Sequence, residues 1–146
     1  MKIVLASDHG GVDLLREVAN QLDELGIAYD NIGCDCKDSV DYPDYGIPAA
    51  EKVAEGTYDR GILICGTGIG MSIAANKVKG IRAALVHDVY TARVTREHND
   101  SNVLVMGARV IGVDLAKEIV KTWLAGEFEG GRHINRIEKL SAYEAK

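Results

Sequence analysis

Short aliphatic runs alternate along the chain with longer segments whose apolar residues recur every three or four positions. The runs are KIVLAS (2–7), AYDNIG (28–33), GILIC (61–65), IRAALV (81–86) and NVLVMG (102–107). Several are almost unbroken aliphatic, the pattern of strands covered on both faces in a parallel sheet. Between the first two runs, VDLLREVANQLDELG sets Leu14, Leu15, Val18, Leu22 and Leu25 on one helical stripe. It stops at Gly26, a residue suited to the left-handed position past a helix end. The spacing predicts further helices in YPDYGIPAAEKVAEG, beginning near Pro48 and closing at Gly56, and in GMSIAANKVKG, ended by Gly80. It predicts two more in HDVYTARVTREHN and GVDLAKEIVKTWLAG, the latter with Ile119, Val120, Trp123 and Leu124 as its apolar side.

Strand–helix alternation of this kind implies an α/β fold: a three-layer αβα, Rossmann-like sandwich on a five-stranded parallel sheet with right-handed crossovers. After the fifth helix, EGGRHINRIEKLSAYEAK breaks at two glycines and resumes as a short amphipathic segment. That C-terminal helical extension suits an oligomer contact. With 146 residues, no repeat, no low-complexity tract and only 2 prolines, the chain reads as a single domain over 1–146.

Composition narrows the function classes. A net charge of −5 gives little support for generic binding to nucleic acid or an anionic membrane. An anionic substrate would need locally concentrated positive charge, so the arginines are worth following. MKIVLASDHGG turns polar too quickly for a signal peptide, and no stretch approaches the ~20 apolar residues of a membrane span. The 3 cysteines, without a secretion signal, favour reduced thiols and a cytoplasmic location. Cys34 and Cys36 have no Cys or His cluster after them at zinc-site spacing, so the pair reads as structural or incidental and no metal is expected.

In a parallel α/β sheet, ligands bind beyond the carboxyl ends of the strands. The informative segments are therefore SDHGG, GCDC, CGTGIG, VHD and GARVIG, with REHND at the end of the fourth helix. Gly66, Gly68 and Gly70 let the backbone approach a ligand and turn N–H groups toward it, ahead of a helix N-terminus. This is an anion site, for a phosphate or for an oxyanion formed during reaction. It departs from the dinucleotide fingerprint, because the third glycine comes early and the loop follows the third strand; Asp88 keeps a nucleotide reading open. Cys65 is either a small core residue at a strand end or a thiolate supported by the helix dipole and adjacent N–H groups. Asp8 is either a helix cap or, with His9, a pair directed at a hydroxyl-rich ligand. His98, with Asn99 beside it, is a dipole partner or a proton donor. Arg132 and Arg136 lie four apart, as a phosphate grip or as a solvated face with Glu138 and Lys139. Arg109 follows the fifth strand directly, at the ligand-binding edge. Together these put a thiol, an anion loop, two histidines and up to three arginines within reach of one edge. A phosphorylated, hydroxyl-rich substrate and proton-transfer chemistry fit that set.

SDHGG, YPDYG, CGTGIGMSIAANKVKGIRAAL, REHNDSNVLVMGARVIG and GRHINRI, in that order over nearly the whole chain, resemble the ribose-5-phosphate isomerase B family. The match is to the cysteine-containing branch, related to the galactose-6-phosphate isomerase subunits. The resemblance implies a cofactor-free aldose–ketose isomerase acting on ribose 5-phosphate and ribulose 5-phosphate, with hexose phosphates such as allose 6-phosphate or galactose 6-phosphate as alternatives. It implies Cys65 as the base, an anion hole from Gly66, Thr67, Gly68, Ile69 and Gly70, and His98 as the donor in ring opening with Thr67 nearby. Asp8, His9 and Asn99 match substrate-binding positions; Arg109, Arg132 and Arg136 match phosphate and substrate contacts. Met71 stands where another branch carries a glutamate base. The family pattern is a homodimer, a tetramer in some members, with the active site at the subunit interface. Outside this reading stand a non-catalytic nucleotide-binding module and a thiol redox protein using Cys34 and Cys36.

Overall fold

The structure, a computed structural model, describes residues 1–146. Five parallel strands form one sheet: β1 (Lys2–Ser7), β2 (Ala28–Asn31), β3 (Arg60–Cys65), β4 (Ala83–Leu85) and β5 (Val103–Gly107). Six helices accompany them: α1 (Val12–Leu25), α2 (Pro43–Ala54), α3 (Ile69–Asn76), α4 (Val89–Asn99), α5 (Val113–Ala125) and α6 (Arg132–Glu144). No helix is long and apolar enough to cross a membrane.

The sheet order is β2-β1-β3-β5-β4. Connections that step toward the β2 edge, through α1 and α4, lie on one face; those that step toward β4, through α2 and α3, lie on the other. A single hand of crossover requires this split. Strand alternation serves both faces. Ile3, Leu5, Ile62, Ile64, Leu104 and Met106 pack against α1, α4 and α5. Val4, Ala6, Leu63, Cys65, Val103 and Val105 pack against α2 and α3. The three central strands are thereby buried on both sides, which is why their sequence reads as continuous aliphatic.

The edges of the sheet depart from the pattern-based boundaries. β2 ends at Asn31, two residues short of the expected 33, because it has one strand neighbour and its side chains are mostly exposed. Backbone bonds to β1 nevertheless continue through Ile32 and Cys34. β4 keeps only Ala83–Leu85 of the expected 81–86, since it pairs with β5 alone. The start of α2 is a larger correction. It begins at Pro43, the first helical position, where the missing N–H has no helical acceptor to lose. Pro48, the expected start, sits inside the helix and is carried there by the burial of Ala49, Ala50 and Val53.

Cys34 and Cys36 lie side by side in the loop after β2, and Cys65 is buried at the end of β3. The C-terminal extension is a full 13-residue helix. It rests on α4 and is pinned at its far end by the Glu144 carboxylate, which accepts from the Gly80 N–H at 3.0 Å.

Candidate active site

β1 and β3 are adjacent in the sheet, and the chain leaves them in opposite lateral directions. Their carboxyl ends form the switch point at which parallel α/β sheets open a crevice. Asp8 and His9 follow β1, Cys65 closes β3, and Arg109 follows β5 on the other side of β3. A pocket of about 220 Å³ is lined there by Asp8, His9, Gly10, Tyr42, Cys65, Gly66, Thr67, Gly70 and Arg109.

Each side chain in this pocket is held by its own local structure. Cys65 is 5% exposed and belongs to the core cluster on the α2/α3 face, so the apolar reading of a strand-end cysteine is correct as far as burial goes. Its sulfur also accepts a hydrogen bond from the Gly68 N–H at 3.2 Å, an arrangement that suits a thiolate. Gly68 adopts φ 80° to turn that N–H inward, and an added Cβ would meet Leu85 and the Met106 backbone. The Ile69 N–H is turned onto the Thr67 hydroxyl at 3.2 Å. That leaves the N–H groups of Gly66, Thr67 and Gly70 with no protein acceptor, at the start of α3. Backbone donors at a helix start are a preorganised receptor for negative charge.

Opposite the loop, Asp8 is buried and its Oδ1 accepts from the Gly10 N–H at 2.9 Å, capping the turn that precedes α1. Asp8 is thus a cap that also lines the pocket. His9 Nδ1 accepts from the Val40 N–H at 3.1 Å, so neutral His9 carries its proton on Nε2. The guanidinium of Arg109 lies over Gly66, with its backbone N–H bonded to the Gly66 carbonyl at 2.9 Å.

His98, Asn99 and Arg136 are elsewhere. They line a second pocket of about 190 Å³ between α4 and α6, with His133, Ile137 and Leu140. Within one chain the structure therefore divides the candidates between two pockets. Arg132 lines neither pocket and is exposed at the start of α6; Ile69 is 54% exposed beside the loop. Asp100 adopts φ 47° to close α4; its carboxylate accepts from Arg96 at 2.9 Å and Arg82 at 3.4 Å. Arg82 also donates to the Asn99 carbonyl at 2.9 Å, which anchors the turn carrying His98. The His98 ring stacks on His133 with centroids 4.4 Å apart and 14° between planes. Burial holds the His133 pKa below its ordinary value; His98, Arg132 and Arg136 push the same way and Glu129 opposes them.

Two residues were not singled out in the sequence. Tyr42 lies with its ring against Gly70, close enough that a Cβ there would be 2.6 Å from it. His133 sits behind His98. Both fall inside the YPDYG and GRHINRI segments, but only their three-dimensional neighbours give them a role. Asp88, by contrast, lines neither pocket: its carboxylate caps α4, accepting from the Thr91 N–H at 2.7 Å and the Thr91 hydroxyl at 2.8 Å. Larger hollows exist, about 410 Å³ between α1 and the start of α5 and about 320 Å³ beneath α6. Neither contains a nucleophile beside backbone donors.

The sequence profile of the Ribose/Galactose Isomerase family matches residues 3–140. Ribose-5-phosphate isomerase B of Escherichia coli strain K12 is 47% identical over 145 residues, covering 99% of this chain and 97% of the relative. D-erythrulose-4-phosphate isomerase of Pectobacterium atrosepticum is 43% identical over 149 residues, covering 99% and 95%. The solved structure of ribose-5-phosphate isomerase B from Clostridium thermocellum superposes with a TM-score of 0.98 at 54% identity, covering 99% of this chain and 98% of the other.

Proposed function

The chain belongs to the ribose/galactose isomerase family, and we propose that it interconverts ribose 5-phosphate and ribulose 5-phosphate with Cys65 as the base. The observation that carries the assignment is the buried sulfur receiving the Gly68 N–H in the pocket that also holds the three unpaired loop N–H groups.

In this mechanism the Cys65 thiolate takes the proton from C2 of the open-chain aldose. The C–H electron pair becomes the second bond between C1 and C2, and the former carbonyl oxygen on C1 carries the negative charge. The N–H groups of Gly66, Thr67 and Gly70 face that developing charge, which is where fixed donors lower a barrier. Cys65 then returns the proton to C1, the proton of the C2 hydroxyl passes to the oxygen on C1, and the ketose results. No electrons leave the substrate, so the reaction calls for no redox group. Asp8 and the Nε2–H of His9 bind hydroxyls along the chain. His98, with Thr67 on the loop, protonates the ring oxygen to open the furanose.

Because His98, Asn99 and Arg136 lie in a different pocket from Cys65 within one chain, the reading includes a homodimer in which one copy supplies the thiol and loop. The other copy supplies the ring-opening histidine and the phosphate arginines. Exposed Ile134, Leu140 and Tyr143 on α6 provide apolar surface for such a contact.

The test is an isomerase assay of the purified protein with ribose 5-phosphate, D-erythrulose 4-phosphate, allose 6-phosphate and galactose 6-phosphate. Ribose 5-phosphate should show the highest kcat/KM. A higher value for the four-carbon ketose would move the assignment to the activity named for the 43% identical relative, and turnover of none of them would end it.

A further inference from the structure

His98, Glu129 and His133 converge outside the thiol pocket: one ligand atom from each lies within 4.8 Å of the others. We propose that these three side chains form a divalent transition-metal site, of which zinc is the best-suited occupant, and that metal there would silence His98.

The backbone builds the cluster from two elements. His98 comes from the last turn of α4 and His133 from the first turn of α6. Glu129 precedes two consecutive left-handed glycines, Gly130 at φ 70° and Gly131 at φ 58°, which fold the chain back at the start of α6. The Glu129 N–H is tied to the Glu97 carbonyl at 3.0 Å, beside His98. Its carboxylate thereby comes to 3.7 Å from His133 Nε2.

Two imidazoles and one carboxylate are a common three-residue set for zinc, with a fourth position left for a small ligand. Ligand atoms at ~2.0–2.2 Å from one zinc are no more than about 4 Å apart, so closure needs movements on the order of 1 Å. The stacked rings do not aim both lone pairs at one point. His133 is 6% exposed and fixed by its packing, so the half-buried His98 is the ring that swings on its Cβ. The remaining coordination position opens into the 190 Å³ pocket beside Arg136, where an anion such as chloride or phosphate would complete the shell.

The metal-binding half of this inference is independent of the proposed isomerase activity, and only the inhibition half rests on it. Full-length protein would be titrated with cobalt(II), whose absorption distinguishes nitrogen and oxygen ligands from thiolate, and then with zinc in competition. The expected result is one ion per chain, without sulfur-to-cobalt charge transfer, and retained in Cys65→Ser. Glu129→Gln, an exposed change, should weaken binding by at least about tenfold, and His133→Gln should do the same. Zinc should inhibit isomerisation by the wild type and inhibit Glu129→Gln only at correspondingly higher concentration. A thiolate band that vanishes in Cys65→Ser, or an affinity unchanged in both Glu129→Gln and His133→Gln, would overturn the site. Zinc bound with full activity retained would overturn the silencing of His98.

Discussion

The two pockets are built by opposite means. Around Cys65 the distinctive feature is backbone: a loop with one N–H on the sulfur, another on Thr67, and its neighbours left without a protein acceptor. Asp8 and Cys65, at the ends of β1 and β3, are buried there. Around His98 the surface is side chain on helix, with Arg136 and Leu140 exposed. Backbone donors fixed in this way need not reorganise when charge develops beside them. The second pocket offers long charged side chains that are free to reach a ligand, or a second copy of the chain.

The sharpest way to break that division is at the sulfur. Cys65→Ser should leave ribulose 5-phosphate binding nearly intact while kcat falls by a factor on the order of 10² to 10⁴. Near-wild-type kcat in steady-state assays would remove the thiol from the chemistry.

A second experiment asks whether the two halves come from different copies. Cys65→Ser and His98→Asn proteins, each inactive, would be mixed, dissociated and reassociated. Random pairing makes half the dimers mixed, each with one intact site, so activity should recover to roughly a quarter of wild type. No recovery, with mixed dimers demonstrated by mass, would place both halves within one chain.

The exposed half should respond in KM. Arg136→Ala should raise KM for the sugar phosphate about 10- to 100-fold with a smaller change in kcat, as loss of a charge-assisted hydrogen bond predicts. An unchanged KM would return Arg136 to the role of a solvated helix residue.

Rigidity of the first half can be probed from behind. A Cβ on Gly107 would stand 2.5 Å from the Thr67 carbonyl oxygen, so the catalytic loop would have to shift. Gly107→Ala should lower stability by about 1–3 kcal/mol, read by urea unfolding, and reduce kcat although the residue lines neither pocket. Unaltered kcat would show that the loop tolerates displacement.

The smallest expected effect belongs to the second half. His133 has a folded-state pKa below its ordinary 6.5, chiefly through burial. As pH falls through that region the unfolded chain binds the proton first, so stability present above 6.5 is lost progressively toward the lower folded value. Thermal melts across this range should show a slope that is shallower in His133→Phe, which keeps the stack without the titration. An identical slope would mean that other groups control it.

Much of the scaffold was legible because burial leaves its period in the sequence. Alternation and aliphatic runs mark β1, β3 and β5, and the stripe of Leu14, Leu15, Val18 and Leu22 marks α1, since each pattern depends only on which side faces the core. The edge strands were overextended because a half-exposed strand carries weaker patterning. Pro48 misplaced the start of α2 because packing of Ala49, Ala50 and Val53 outweighs a lost helical bond, and packing is not a local property.

By itself, then, the sequence determined the fold class, the family and the residue types available for proton transfer, all written in local order and spacing. Only the tertiary structure decided which of them meet. It joined Asp8, His9, Tyr42, Cys65 and Arg109 by setting β1, β3 and β5 side by side, and it sent His98 and Arg136 to a separate pocket with His133. The physical reason is that a pocket is defined by loops distant in sequence. Their meeting depends on sheet order and helix packing, which hydrophobic period alone does not encode.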